Sequence, residues 1–117
     1  MRDDKLYLIH ISECIERVES YVAGGKAEFM SSSLIQDAVA RNLQVMAEST
    51  QRLSDGAKMA HPEIDWREIA GFRNVLVHDY LDTDREILWQ VIERDLPPLK
   101  AAMHAMLTSA HANGPAS

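Results

Sequence analysis

A chain of 117 residues is long enough to bury one core without disulfide or metal staples, and it is read as a single domain. Apolar and charged contents of 46% and 26% are those of a water-soluble globular protein, and no run approaches the roughly 18 apolar residues that a membrane span needs. The formal charge of −6 excludes a protein that holds nucleic acid by bulk electrostatics, so any RNA contact must come from a local basic cluster or from a second copy of the chain.

The opening stretch MRDDKLYL places acids where a signal peptide carries only bases, so a cytoplasmic location is expected. Leu8, Ile11, Ile15, Val18 and Val22 step by three and four residues, which predicts an amphipathic helix from Asp3 to Ala23, stopped by Gly24-Gly25. Cys14 stands alone, which excludes an internal disulfide and fits a reducing compartment. His10 lies four residues before it, but two ligands do not make a zinc site, and neither a metal nor another cofactor is expected.

Ser33 and Gln36 have the spacing of a capping box and predict the start of a second helix. That helix carries Ile35, Val39, Leu43, Met46 and Leu53 and ends near Ser54. The polar segment DGAKMAHPEI reads as a connection, because Pro62 disfavours helical continuation. Asp65 with Glu68 caps a third helix, and Thr83 with Glu86 a fourth, which runs through Ile87, Leu88, Val91 and Ile92. Pro97-Pro98 should interrupt this last helix. Asp95 is placed to cap a restart through Leu99, Met103 and Met106, since proline is harmless in a first turn. The expected fold is therefore all-α, an up-down bundle of four long helices with the last interrupted at Pro97-Pro98. The domain is expected over residues 1–109, with a disordered tail over 110–117. Trp66, Trp89 and the methionines read as core or interface filler.

The third helix carries the stretch RNVLVHDY, residues 73–80. With residues spaced 100° apart and Arg73 at zero, Ile69, Phe72, Val75 and Leu76 fall between about 200° and 320°, an apolar arc for the core. Arg73, Asn74, Val77, His78, Tyr80 and Leu81 fall between about −20° and 140°. A face that mixes these polar groups with aliphatics points to a second packed surface, such as a twin subunit. Asp79 lands in the core arc, so the regular helix is expected to end near His78. Asn74 and His78, four residues apart, are able to hydrogen-bond along the helix. Arg73 and His78 diverge by about 140° within one straight helix, and two copies facing each other across this surface would bring them into one cleft.

Such a cleft has the parts for metal-independent RNA cleavage. Histidine serves as acid or base near neutral pH, and arginine holds phosphate oxygens with a planar fork that keeps its proton. Asn74 could orient the imidazole or donate to phosphate. The Arg-x4-His spacing alone does not discriminate, since it arises by chance in about one chain in three of this composition.

The wording around the motif is more specific. IDWREIAGFRNVLVHDYLDTD resembles the signature region of the HEPN superfamily, in particular the HepT-type toxins paired with minimal nucleotidyltransferase antitoxins. DAVARNLQVMAEST resembles the second helix of that family and ILWQVIERDLPPLKAAM its last, so the resemblance covers Asp3 to Met106. Its most specific element is Arg-x4-His-x-Tyr, here Arg73, His78 and Tyr80, with Asn74 after the arginine; Ala47 before Glu48 departs from the glycine expected there. The resemblance implies a helical homodimer whose two motifs line a shared cleft, acting as a metal-independent endoribonuclease toxin on RNA. It also implies inhibition by AMPylation of Tyr80 by a nucleotidyltransferase antitoxin. The transferase must be a separate protein, since this chain has no nucleotide-cradling glycine loop.

Two other readings stay open. The chain could be an inactive helical partner, or AMP acceptor, of a nucleotidyltransferase, which the acidic net charge favours; or it could be a purely structural dimer. His10, His61, His104 and His111 have no companions at catalytic spacing and read as surface residues, while Arg67 would extend a phosphate track if its side chain leaves the core.

Overall fold

The computed structural model describes residues 2–78 and 84–113, and side chains over 4–72 and 84–109. In chain order it holds α1 (Arg2–Tyr21), α2 (Lys26–Ser31), α3 (Ser33–Gln51), α4 (Asp55–Met59), α5 (Trp66–His78), α6 (Arg85–Gln90), a π-helical turn (Val91–Asp95) and α7 (Leu96–Asn113). The all-α class is as expected. The expected rods correspond to α1, α3, α5 and the α6–α7 composite, and two short helices, α2 and α4, add to them.

The apolar stripes explain the packing. Leu8, Ile11, Cys14, Ile15 and Val18 of α1 are buried, as are Val39, Leu43, Met46 and Ala47 of α3 and Leu99, Ala102 and Met103 of α7. α1 packs on α3 and α7, and α3 packs on α5 as well, so α3 is the central rod. The Ala47 methyl is fully enclosed on this rod, so the position where glycine was expected accommodates a side-chain carbon. Met59 is 78% exposed, so it is not part of the core of this chain.

α2 had no sequence signal long enough to show a period, yet it supplies Phe29, one of the largest fully buried side chains. The Phe29 ring meets Trp89 at 5.3 Å between centroids. Burial of such a ring is worth about 1.5–3 kcal/mol, enough to hold a helix too short to stand alone. Gly25 makes the turn from α1 into α2 with φ 96°, a backbone state that side chains disfavour.

The second helix begins one residue earlier than the expected box. Ser32, not Ser33, is the N-cap and accepts from the Ile35 N–H at 3.2 Å. Gln36 does not reach back to the cap. Its amide donates to the carbonyls of Phe29 (2.8 Å) and Met30 (3.3 Å), satisfying the end of α2. The segment expected as a plain connection forms α4, because Ser54 caps it through the Ala57 N–H. Asp4 fixes that cap to α1, accepting from the Ser54 N–H at 2.8 Å and the Ser54 hydroxyl at 2.6 Å.

The cap of α6 is Asp84, which accepts from the Glu86 N–H at 2.8 Å; Thr83, the cap expected, lies outside the described residues. Lys26 pairs with Glu86 at 2.8 Å, and Arg85 donates to the Met30 carbonyl at 2.8 Å, so the start of α6 is tied to α2. The prolines do not break the last helix. The chain stays helical through the π turn, where the Leu96 N–H donates to the Val91 carbonyl, and Pro97 and Pro98 occupy the first turn of α7. A widened turn relieves the clash between a proline ring and the carbonyl four residues back, and neither proline has an N–H to leave unpaired. Asp95 is consequently inside the helical path and caps no new start. α7 runs to Asn113, and 114–117 lies outside the described residues.

Candidate nucleic-acid interface

α5 begins where two anchors fix its first turn. The Asp65 carboxylate accepts from the Glu68 N–H at 3.0 Å, as the capping spacing predicted. The half-buried Trp66 turns its indole N–H onto the carbonyls of Lys58 (3.0 Å) and His61 (3.1 Å), so the ring clamps the preceding loop and the end of α4. Trp66 is thus more than filler, a role that spacing alone gave no means of reading. Ile69 is buried and Phe72 half-buried, and both belong to the predicted core arc.

Among the described residues, the principal neighbour of α5 is α3, and its helical path carries Arg73, Asn74 and His78. Their backbone is helical as predicted, while their side chains, and Tyr80 altogether, lie outside what the structure describes. Arg67, whose direction the sequence left open, is exposed, so its side chain leaves the core.

Acidic groups gather near this helix start. Asp95 on the π turn has its carboxyl pushed up, first by burial and then by the charges of Glu68 and Asp65, with Arg94 opposing. Among the described residues no three His, Cys, Asp or Glu side chains gather as a metal site. Cys14 is buried, which pushes its thiol up, while His10 is exposed, so the pair does not converge. His104 is exposed, and His61 pairs with Glu63 at 2.9 Å and lowers that carboxyl. A polar groove lined by Tyr7, Val45, Glu48, Ser49, Gln51 and Arg52 contains none of the residues singled out from the motif. No described helix is long and apolar enough to cross a membrane.

Residues 11–106 match the family described as Ribonuclease HepT-like. A protein of Thermococcus cleftensis named probable ribonuclease HepT is 37% identical over 100 residues, covering 85% of this chain and 91% of the relative. A Methanocaldococcus jannaschii protein named as a gamma-glutamylcyclotransferase and candidate RNase is 34% identical over 100 residues, and the match spans 85% of this chain but 45% of that longer protein. A candidate RNase of Caldanaerobacter subterraneus is 28% identical over 108 residues, covering 92% of this chain and 96% of the relative. No solved structure matches significantly.

Proposed function

The chain belongs to the HepT-like ribonuclease family, and on that premise we propose that it is a metal-independent endoribonuclease, the toxin of a toxin–antitoxin pair acting in the cytoplasm. The observation that carries this reading is that the family match over 11–106 takes in the whole of α5 with Arg73, Asn74 and His78. In this mechanism two copies of the chain face each other across α5. Arg73 holds the scissile phosphate and stabilises the charge that grows on it, and His78 moves the proton to or from the reacting oxygens. Asn74, one turn before His78, orients the imidazole. The basic cluster so formed answers the problem of an acidic chain that must hold RNA locally.

Control is proposed to act on Tyr80, through AMP transferred by a separate nucleotidyltransferase antitoxin. The added phosphate would compete with the RNA for Arg73. The acidic charge of −6 favours a second reading, an inactive helical partner or AMP acceptor of that transferase.

The test is RNA cleavage in EDTA by chain purified from cells lacking the transferase, its mass confirming an unmodified Tyr80, beside His78→Ala and Arg73→Ala. Cleavage by the wild type with loss in both variants supports the enzyme. Equal cleavage by His78→Ala removes the role given to that histidine, and no cleavage by any of the three supports the binding partner.

A further inference from the structure

We propose that Arg67 holds a second phosphate of the RNA strand, extending the track from the reacting centre toward the start of α5; this rests on the ribonuclease reading above. Helical geometry provides the alignment. Asn74 follows Arg67 by seven residues and His78 by eleven, so all three backbone positions lie within about 20° of one line along α5. They are separated along the axis by about 10 Å and about 16 Å. Arg73, by contrast, stands about 120° from Arg67 around the helix, so the two arginines are not alternatives for one phosphate.

Between Arg67 and Asn74 the same line passes between Ala70, about 60° to one side, and Gly71, about 40° to the other. A Cβ built on Gly71 would meet nothing within 4 Å, so no neighbour inside the described chain requires a glycine there. A glycine inside a helix costs about 1 kcal/mol relative to alanine. With no side chain at Gly71, a strand running from Arg67 toward the motif meets only backbone at that position.

The charge environment leaves this guanidinium available. Lys26 is paired with Glu86, Lys100 with Glu19, and Arg85 with the Met30 carbonyl, whereas Arg67 has no hydrogen-bond or ion-pair partner among the described residues. Glu68 and Asp65, its close acidic neighbours in sequence, act on Asp95, and Arg67 is not among the charges that act there. An exposed, unpaired arginine on a protein of net charge −6 is the kind of local cation that RNA binding needs here.

The test uses a single-stranded 2′-O-methyl RNA oligonucleotide, which lacks the nucleophile for cleavage, and the full chain as wild type, Arg67→Ala and Arg67→Lys. Affinity is measured against salt, with thermal unfolding and solution mass as controls. Arg67→Ala should weaken binding about tenfold, the order expected for one charge-assisted phosphate contact, and lower the slope of log K against log salt by about 0.7. Arg67→Lys should keep the slope and lose part of the affinity. On cleavable RNA, Arg67→Ala should raise KM more than it lowers kcat. Unchanged affinity and slope in Arg67→Ala overturn the proposal, as does a loss that only accompanies a fall in solution mass, which would place Arg67 in a protein interface. A wild type that binds RNA through Arg67 but does not cleave it removes the ribonuclease reading and leaves this contact standing, while a wild type that neither binds nor cleaves removes both.

Discussion

The indole N–H of Trp66 lies 3.1 Å from the carbonyl of His61, five residues earlier, and shares itself with the carbonyl of Lys58 at 3.0 Å. One side chain therefore closes the loop that leads into α5 and sets where that helix starts. Trp66→Phe keeps the apolar body and removes the donor. It should destabilise the fold by about 1 kcal/mol, the net worth of a typical hydrogen bond, as read by urea unfolding. The same variant should lower RNA cleavage with His78 and Arg73 intact, because the helix that carries them loses an anchor. Full activity at reduced stability would separate the clamp from the site.

Capping at the start of α3 gives a prediction that distinguishes two adjacent serines. Ser32 accepts from the Ile35 N–H, whereas Ser33 is the first helical residue and is exposed. Ser32→Ala should cost about 1 kcal/mol and Ser33→Ala only a few tenths. Thermal unfolding of the two variants measures this directly.

Asp95 supplies a pH dependence. Burial, then Glu68, raises its carboxyl above the ordinary carboxylate range, with Asp65 adding and Arg94 opposing. The folded state therefore binds this proton more tightly than the unfolded state does. Its contribution to stability rises as pH falls through the folded pKa toward the unfolded value near ~3.9, and above the folded pKa the carboxylate is a constant penalty. Asp95→Asn should accordingly stabilise the protein at neutral pH, and the advantage should vanish below the unfolded pKa. Denaturant midpoints of both proteins across that range would show it.

Arg73→Lys tests what kind of cation the proposed site needs. Lysine keeps the charge and loses the two-pronged fork, so RNA cleavage should fall by at least tenfold while binding at low salt falls less. Equal activity in the lysine variant would mean that only a point charge is required.

The long elements were legible because their physics is periodic. The stripe of Leu8, Ile11, Ile15 and Val18 reads as one helix face and is buried as one. The short helices were not legible, because α2 rests on a tertiary anchor, Phe29 against Trp89, and α4 on a cap held by Asp4 from another helix. Pro97-Pro98 carried a correct local rule, a proline-tolerant first turn, and a wrong global consequence, since a π turn keeps the path continuous. For the site, the sequence placed Arg73, Asn74 and His78 on the third helix, and the described α5 includes them. It could not decide which way Arg67 points, because that depends on how α5 leans on α3 and not on α5 alone.

Trp89 is buried against Phe29 and its indole N–H has no hydrogen-bond partner among the described residues, whereas Trp66 is half-buried with its N–H doubly engaged. Since the chain has 2 tryptophans, these two environments amount to a pair of built-in optical reporters. The dry Trp89 should emit at the shorter wavelength and follow the integrity of the core. Trp66 should follow events at the start of α5. Quenching of the longer-wavelength component when RNA is added, with the shorter one unchanged, would separate occupancy of that helix from unfolding in a single spectrum.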